Sequence, residues 1–97
     1  MKNPLTIALD FDETYTADPE LWNHFINQAI LRGHRVLIVT CRRDTGENLG
    51  ILTCMYPESI GLPIFTNMGA KRAFLLTLGI AVDIWIDDDP SCILFGK

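Results

Sequence analysis

The sequence predicts an α/β fold, a three-layer sandwich in which a mostly parallel sheet lies between helix layers. Three observations carry that prediction. Strand-like and helix-like stretches alternate along all 97 residues, the pattern of right-handed βαβ units. The strand candidates are short, continuous apolar runs without polar alternation, as in strands covered on both faces. Three of those runs end on a polar group, Asp10, Thr40 or Asp87, at the carboxyl edge where open α/β sheets bind ligands.

The first strand is expected over about Leu5 to Asp10. Asp18-Pro19-Glu20 then reads as a helix start, with an aspartate at the N-cap, proline at the first helical position and an acid in the first turn. Trp22, Phe25, Ile26, Ala29 and Ile30 follow at helical spacing on one face. Arg32 suits the negative end of that helix, and Gly33 suits its C-terminal cap. Val36-Leu37-Ile38-Val39 forms the second strand, ending at Thr40, and Cys41 to Gly46 forms a loop.

A helix is expected from Glu47 to about Met55, weakened by Gly50 and stopped before Pro57. Pro63 to Thr66 is a short third strand, and Asn67-Met68-Gly69 is a turn. The helix from Ala70 to Leu78 is expected to face Ala70, Ala73, Phe74 and Leu78 inward and to end at Gly79. Val82 to Ile86 is the fourth strand, with Asp83 at its start. Asp89-Pro90 reads as a helix or turn cap, and the Cys92-Ile93-Leu94-Phe95 stretch as an edge strand or a helical turn.

Nearly half the residues are apolar, enough for a folded core. A net charge of −4 argues against binding to a nucleic-acid backbone as the main activity. Locally that total misleads, because five of the twelve acids fall into two clusters, Asp10/Asp12 and Asp87/Asp88/Asp89. Cys41, Cys54 and Cys92 are widely spaced and odd in number, so they read as reduced thiols of a cytoplasmic protein and form neither a disulfide frame nor a zinc site. The leading Met1-Lys2-Asn3-Pro4 has no signal-like apolar region, and no stretch has the length of a membrane span.

Four segments thus aim carboxylates, a hydroxyl and an ammonium at one edge: Asp10 and Asp12, Thr40, Lys71 at the start of its helix, and Asp87 with Asp88. Burying Asp10 and Asp12 together without a partner would cost several kcal/mol, and a divalent cation is the simplest compensation. Phosphoryl transfer needs these groups. One carboxylate can be the nucleophile and another the proton carrier, while hydroxyl and ammonium bind the phosphoryl oxygens. Further acids fit the oxygen-rich shell of Mg2+.

The set Asp10-x-Asp12-x-Thr14, Thr40 after a hydrophobic strand, Lys71, and Asp87-Asp88 after another strand resembles the haloacid dehalogenase (HAD) superfamily. All four of its motifs are present in order, over essentially the whole chain. The resemblance implies a single HAD-like hydrolase domain over residues 1–97, with a Rossmann-like sheet. It implies a phosphatase acting through an aspartyl-phosphate, with Asp10 as nucleophile and Asp12 as general acid and base. Thr40 and Lys71 would hold the phosphoryl oxygens. Apart from the resemblance, Arg42 follows Thr40 on the loop beside the site and reads as a substrate-phosphate contact or, equally, as a solvated loop residue. Mg2+ would be held by Asp10, the backbone carbonyl of Asp12, Asp87 and Asp88. An aspartate at position 12 favours a phosphatase over a dehalogenase, which lacks that acid.

Two departures shape the expectation. Glu13 stands where most members have glycine, a form similar to that of small phosphatases acting on phosphoprotein tails. Few residues separate Thr14 from Asp18, leaving little room for the usual flap, and no insertion is long enough for a cap domain. The implied site is open, suited to a phosphorylated small molecule or a macromolecular phosphoester, or completed by a second copy or a partner subunit. The competing expectation is a catalytically weak or inactive HAD-like binding or regulatory protein that keeps the fold and the metal site. A signalling receiver domain fits poorly, since the third strand ends in Thr66-Asn67 without an acid.

Overall fold

The computed structural model describes residues 4–97, so the reading of Met1 to Asn3 as lacking a leader falls outside the described residues. Four strands, β1 (Thr6–Leu9), β2 (Arg35–Thr40), β3 (Ile64–Phe65) and β4 (Ile84–Ile86), form one sheet in the order β3-β2-β1-β4. All pairings are parallel. Four α-helices, α1 (Pro19–Leu31), α2 (Gly46–Thr53), α3 (Lys71–Thr77) and α4 (Ser91–Leu94), connect and follow the strands. The fold is α/β, consistent with a Rossmann-like sandwich.

Strand alternation divides the core in two. Leu9, Val36, Ile38 and Phe65 join Ile26 and Ala29 of α1 and Leu52 of α2 in a cluster of ten buried residues. Ala8, Leu37 and Val39 point the other way and meet Leu75 of α3 in a cluster of four. Neighbouring residues along β1 and β2 thus feed opposite faces, and for that reason neither strand carries a polar residue among its buried positions until Thr40.

The start of α1 follows its sequence signal. The Asp18 carboxylate accepts from the Leu21 N–H at 3.2 Å, and Pro19 occupies the first turn, where no N–H is needed. Arg32 is the C-cap, and Gly33 takes the left-handed conformation at φ 84° that ends the helix. Helix α2 begins one residue earlier than its sequence pattern suggests, because the Thr45 hydroxyl caps the Asn48 N–H. Strands β3 and β4 are shorter than expected. Asp83 precedes β4 and grips β1 from both sides, donating its N–H to the Thr6 carbonyl and accepting the Thr6 N–H on its carboxylate.

The inward face of α3 differs from the sequence expectation. Lys71 and Leu75, one turn apart, are the buried residues, whereas Ala73 and Leu78 are exposed. A cation occupies an inward position here, so a pattern that counts only apolar residues turns the helix too far. The tail forms a helical turn, α4. Pro90 is the N-cap of α4, without a side-chain cap bond; the Asp89 carboxylate accepts from the Ser91 hydroxyl and the Cys92 thiol, and its backbone carbonyl accepts the Cys92 N–H. No helix among the described residues is long and apolar enough to cross a membrane.

Candidate active site

The chain runs outward from β1 to β2 and β3, then returns to β4 on the far side of β1. The crevice at that reversal, beyond the carboxyl ends of the strands, is where doubly wound sheets bind ligands. In register, Leu9 lies opposite Ile86, so Asp10 and Asp87 each follow directly on neighbouring strand ends. The Asp10 N–H donates to the Ile86 carbonyl at 2.9 Å and fixes that juxtaposition.

Lys71 reaches the same crevice from α3. Its ammonium donates to Asp10 Oδ1 at 2.6 Å and to Asp87 Oδ2 at 2.5 Å, and its side chain is 2 % exposed. A turn from Thr66 to Gly69 aims the helix. Its two central residues, Asn67 at φ 52° and Met68 at φ 68°, are both left-handed, as in a type I′ turn. The Met68 N–H donates to the Cys41 carbonyl, and the Asn67 side chain accepts the Asp44 N–H, tying the turn to the loop after β2. Asparagine tolerates this conformation, while for methionine it is strained.

Thr14 completes the group. Its hydroxyl lies 3.1 Å from Asp10 Oδ2 and 3.1 Å from Asp88 Oδ1, with one hydrogen to give to either, and it accepts the Asp88 N–H. The sequence pattern contained Thr14, but nothing in it assigned the residue this bridge. Its position four residues after Asp10, across a turn that folds back, was the available signal. Glu13 lies on that turn at φ 66°, a conformation that costs a residue with a side chain about 1 kcal/mol more than glycine.

Formally, Asp10, Asp87 and Asp88 set three negative charges against the single charge of Lys71. One carboxylate oxygen from each of the three lies within 4.8 Å of the others. Burial pushes the Asp10 carboxyl up to about 6 even though Lys71 pulls it down. The two acids hold Lys71 charged and raise it above the ordinary lysine value, against the burial that opposes them. The cluster is therefore short of positive charge. The donors are all hard oxygens, the kind Mg2+ takes. No hydrogen bond among the described residues is made to the Asp12 carbonyl, which leaves it available as a further oxygen donor. On these grounds the residues fit a divalent cation.

Asp12 and Thr40 also line the small cavity, about 50 Å³, that opens above Asp10 and Lys71. The Thr40 hydroxyl accepts the Arg42 N–H at 3.2 Å, and among the described residues its own hydrogen is given to no acceptor. Cys41, Asp89 and Cys92 line the same cavity, a role the sequence did not suggest. Burial, followed by the Asp89 carboxylate, pushes the Cys92 thiol up to about 12, so it stays protonated.

Arg42 is turned toward Asp12. Its Nε and Nη2 donate to the two Asp12 oxygens at 2.9 and 2.8 Å, and its Nη1 donates to Asn48 Oδ1 at 3.0 Å. The guanidinium also lies 5.4 Å from the centre of the Phe11 ring. The hydrogen bonds from Arg42 hold the Asp12 carboxyl below the usual carboxylate range. No protein-family model, no curated protein and no solved structure matches the chain.

Proposed function

We propose that the protein is a Mg2+-dependent phosphomonoester hydrolase of the HAD type that works through an aspartyl-phosphate on Asp10. One observation supports it above the others. A buried lysine bridges Asp10 and Asp87 at the carboxyl ends of adjacent parallel strands, which leaves one buried negative charge over, and the exposed Asp88 beside them adds a second that faces solvent. An ordinary structural ion pair has no need of that surplus.

In this reading Asp10 attacks the phosphorus of the monoester and the bond to the leaving oxygen breaks. Asp12, once turned away from Arg42 and protonated from solvent, gives that proton to the leaving oxygen and later takes one from the water that cleaves the aspartyl-phosphate. Lys71 and Thr40 hold the nonbridging oxygens as charge builds on them. Thr14 fixes the rotation of the Asp10 carboxylate. Mg2+, held by Asp10, Asp87, Asp88 and the Asp12 carbonyl, would supply the positive charge that lets an anionic nucleophile approach an anionic phosphate.

Release of phosphate from an aryl phosphate in the presence of Mg2+, lost on chelation, is the direct test. The pH dependence of cation binding gives a second test, through Asp10. A proton on its carboxyl must leave before a cation can bind, so the melting-temperature gain given by Mg2+ should grow as pH rises through about 6. It should be small near pH 5 and large near pH 8. Equal gains at both would count against Asp10 as a ligand.

The pairing of Asp12 with Arg42 favours a second reading, a binding or regulatory protein of the same fold in which the proton carrier is held away from its task. Cation binding with no turnover of any phosphoester would favour it.

A further inference from the structure

The grip of Arg42 on Asp12 has a use within the phosphatase reading. The Arg42 guanidinium is steadied by two groups that leave its two-pronged edge untouched: Asn48 accepts from Nη1, and the Phe11 ring lies beside it. The edge itself, Nε and Nη2, faces the two oxygens of Asp12. Such a fork matches a carboxylate or a phosphate and little else. Here the arginine is positioned before any ligand arrives, and an internal carboxylate sits where an external oxyanion would sit.

The pair is also accessible. The side chains of Arg42 and Asp12 are 29 % and 43 % exposed, so exchanging one oxyanion for another there carries little desolvation cost. By contrast, the Lys71 pairs are closed off from solvent. Asp12 lines the cavity next to Asp10, and its place beside the leaving group puts Arg42 on the leaving-group side of the reaction. Asp12 cannot hold both oxygens on Arg42 and serve the leaving oxygen.

We propose that Arg42 determines specificity by binding a second oxyanion, carboxylate or phosphate, carried on the leaving group of the substrate. That oxyanion takes the place of Asp12 on the guanidinium and frees Asp12 to turn to the leaving oxygen. The preferred substrates are then phosphomonoesters with a second anionic group a few bonds from the ester oxygen. This inference rests on the phosphatase reading above.

Three alkyl phosphates of equal chain length test it: hydroxypropyl phosphate, its carboxylate-ended analogue and its phosphate-ended analogue. Initial phosphate release is measured with Mg2+ for the parent, Arg42→Lys and Arg42→Ala. The parent is expected to favour an anionic end over the hydroxyl end by roughly tenfold or more in kcat/KM. Arg42→Ala should erase that preference, with KM rising for the anionic substrates while kcat for the hydroxyl-ended one rises because nothing then holds Asp12, and Arg42→Lys should keep part of the preference. The ratio between carboxylate and phosphate ends in the parent identifies which oxyanion the fork selects.

An unchanged preference in Arg42→Ala, or an equal loss on all three substrates as a merely structural role would give, overturns the inference and leaves the phosphatase reading standing. A parent that hydrolyses all three alike overturns it without any variant. Failure of the parent to release phosphate from these or from an aryl phosphate overturns both.

Discussion

Asp10→Asn is expected to lose at least about a thousandfold in phosphate release, since an amide cannot form the acyl-phosphate. The same variant should fold at least as well as the parent when no cation is present. Asparagine keeps an oxygen for the Lys71 ammonium, which donates to Asp10 Oδ1 at 2.6 Å. What it removes is one charge from a cluster with too many negative ones.

The sign follows from the direction of the Asp10 shift. Burial raises its carboxyl from 3.8 to about 6 in the folded protein, so folding favours the protonated form. Stability from this group is full at low pH and declines as pH rises from 3.8 through about 6. A side chain that is always neutral escapes that decline. The cation-free variant should therefore melt no lower than the parent near neutral pH, while the gain on adding Mg2+ disappears. Thermal melts with and without Mg2+, run beside the phosphate assay, check both halves. Parental turnover in Asp10→Asn would remove Asp10 from the chemistry.

Lys71→Met should produce the largest loss of stability. The ammonium is the only cation donating to Asp10 and Asp87 among the described residues. Removing one member of a buried ionic group costs about 3–5 kcal/mol, because the remaining charges stay buried without compensation. A domain of this size has roughly 5–15 kcal/mol in total. With about 4–8 °C lost per kcal/mol, the melting temperature at neutral pH should fall by on the order of 20 °C.

Acid offers a check that separates charge from packing. Without Lys71, the Asp10 carboxyl is left with burial, which raises it, and with the neighbouring acids that raise it further. Lowering the pH then neutralises the group that lost its partner, and the gap between variant and parent should narrow. A cavity or a misfit methionine would leave the gap unchanged across pH. A variant melting within a few degrees of the parent at neutral pH would mean that Lys71 balances little charge.

Much of this arrangement was readable because its causes are local. Asp18 caps α1 and Pro19 fits its first turn, and unbroken apolar runs make β1 and β2. The site residues Asp10, Thr40 and Asp87 could be found because each lies at or just beyond the end of such a run. The inward face of α3 could not be found in the same way, since the site requires a lysine where the core pattern expects an apolar residue. The partner of Arg42 was not legible either. Position after β2 brings the side chain to the crevice, but several acids and solvent all lie near it, and only the folded arrangement of Asn48 on α2 and Phe11 after β1 selects Asp12 among them. The left-handed turn at Asn67-Met68 is held by bonds to the distant Cys41 and Asp44 against the preference of methionine.

The two faces of the sheet are unequal, with ten buried residues clustered under α1 and α2 and four under α3. Amide hydrogen exchange should register that inequality as two rates of opening, slow in β1 and β2 and faster in α3 and β4. Asp10, Asp12 and Thr14 belong to the slow half, while Lys71, Asp87 and Asp88 belong to the fast one. The cluster then acts as a latch across a seam. Each opening of the weaker half separates the lysine from its first carboxylate, and any ion or phosphate bridging the two should slow exchange in α3 and β4 while barely changing it in β1 and β2.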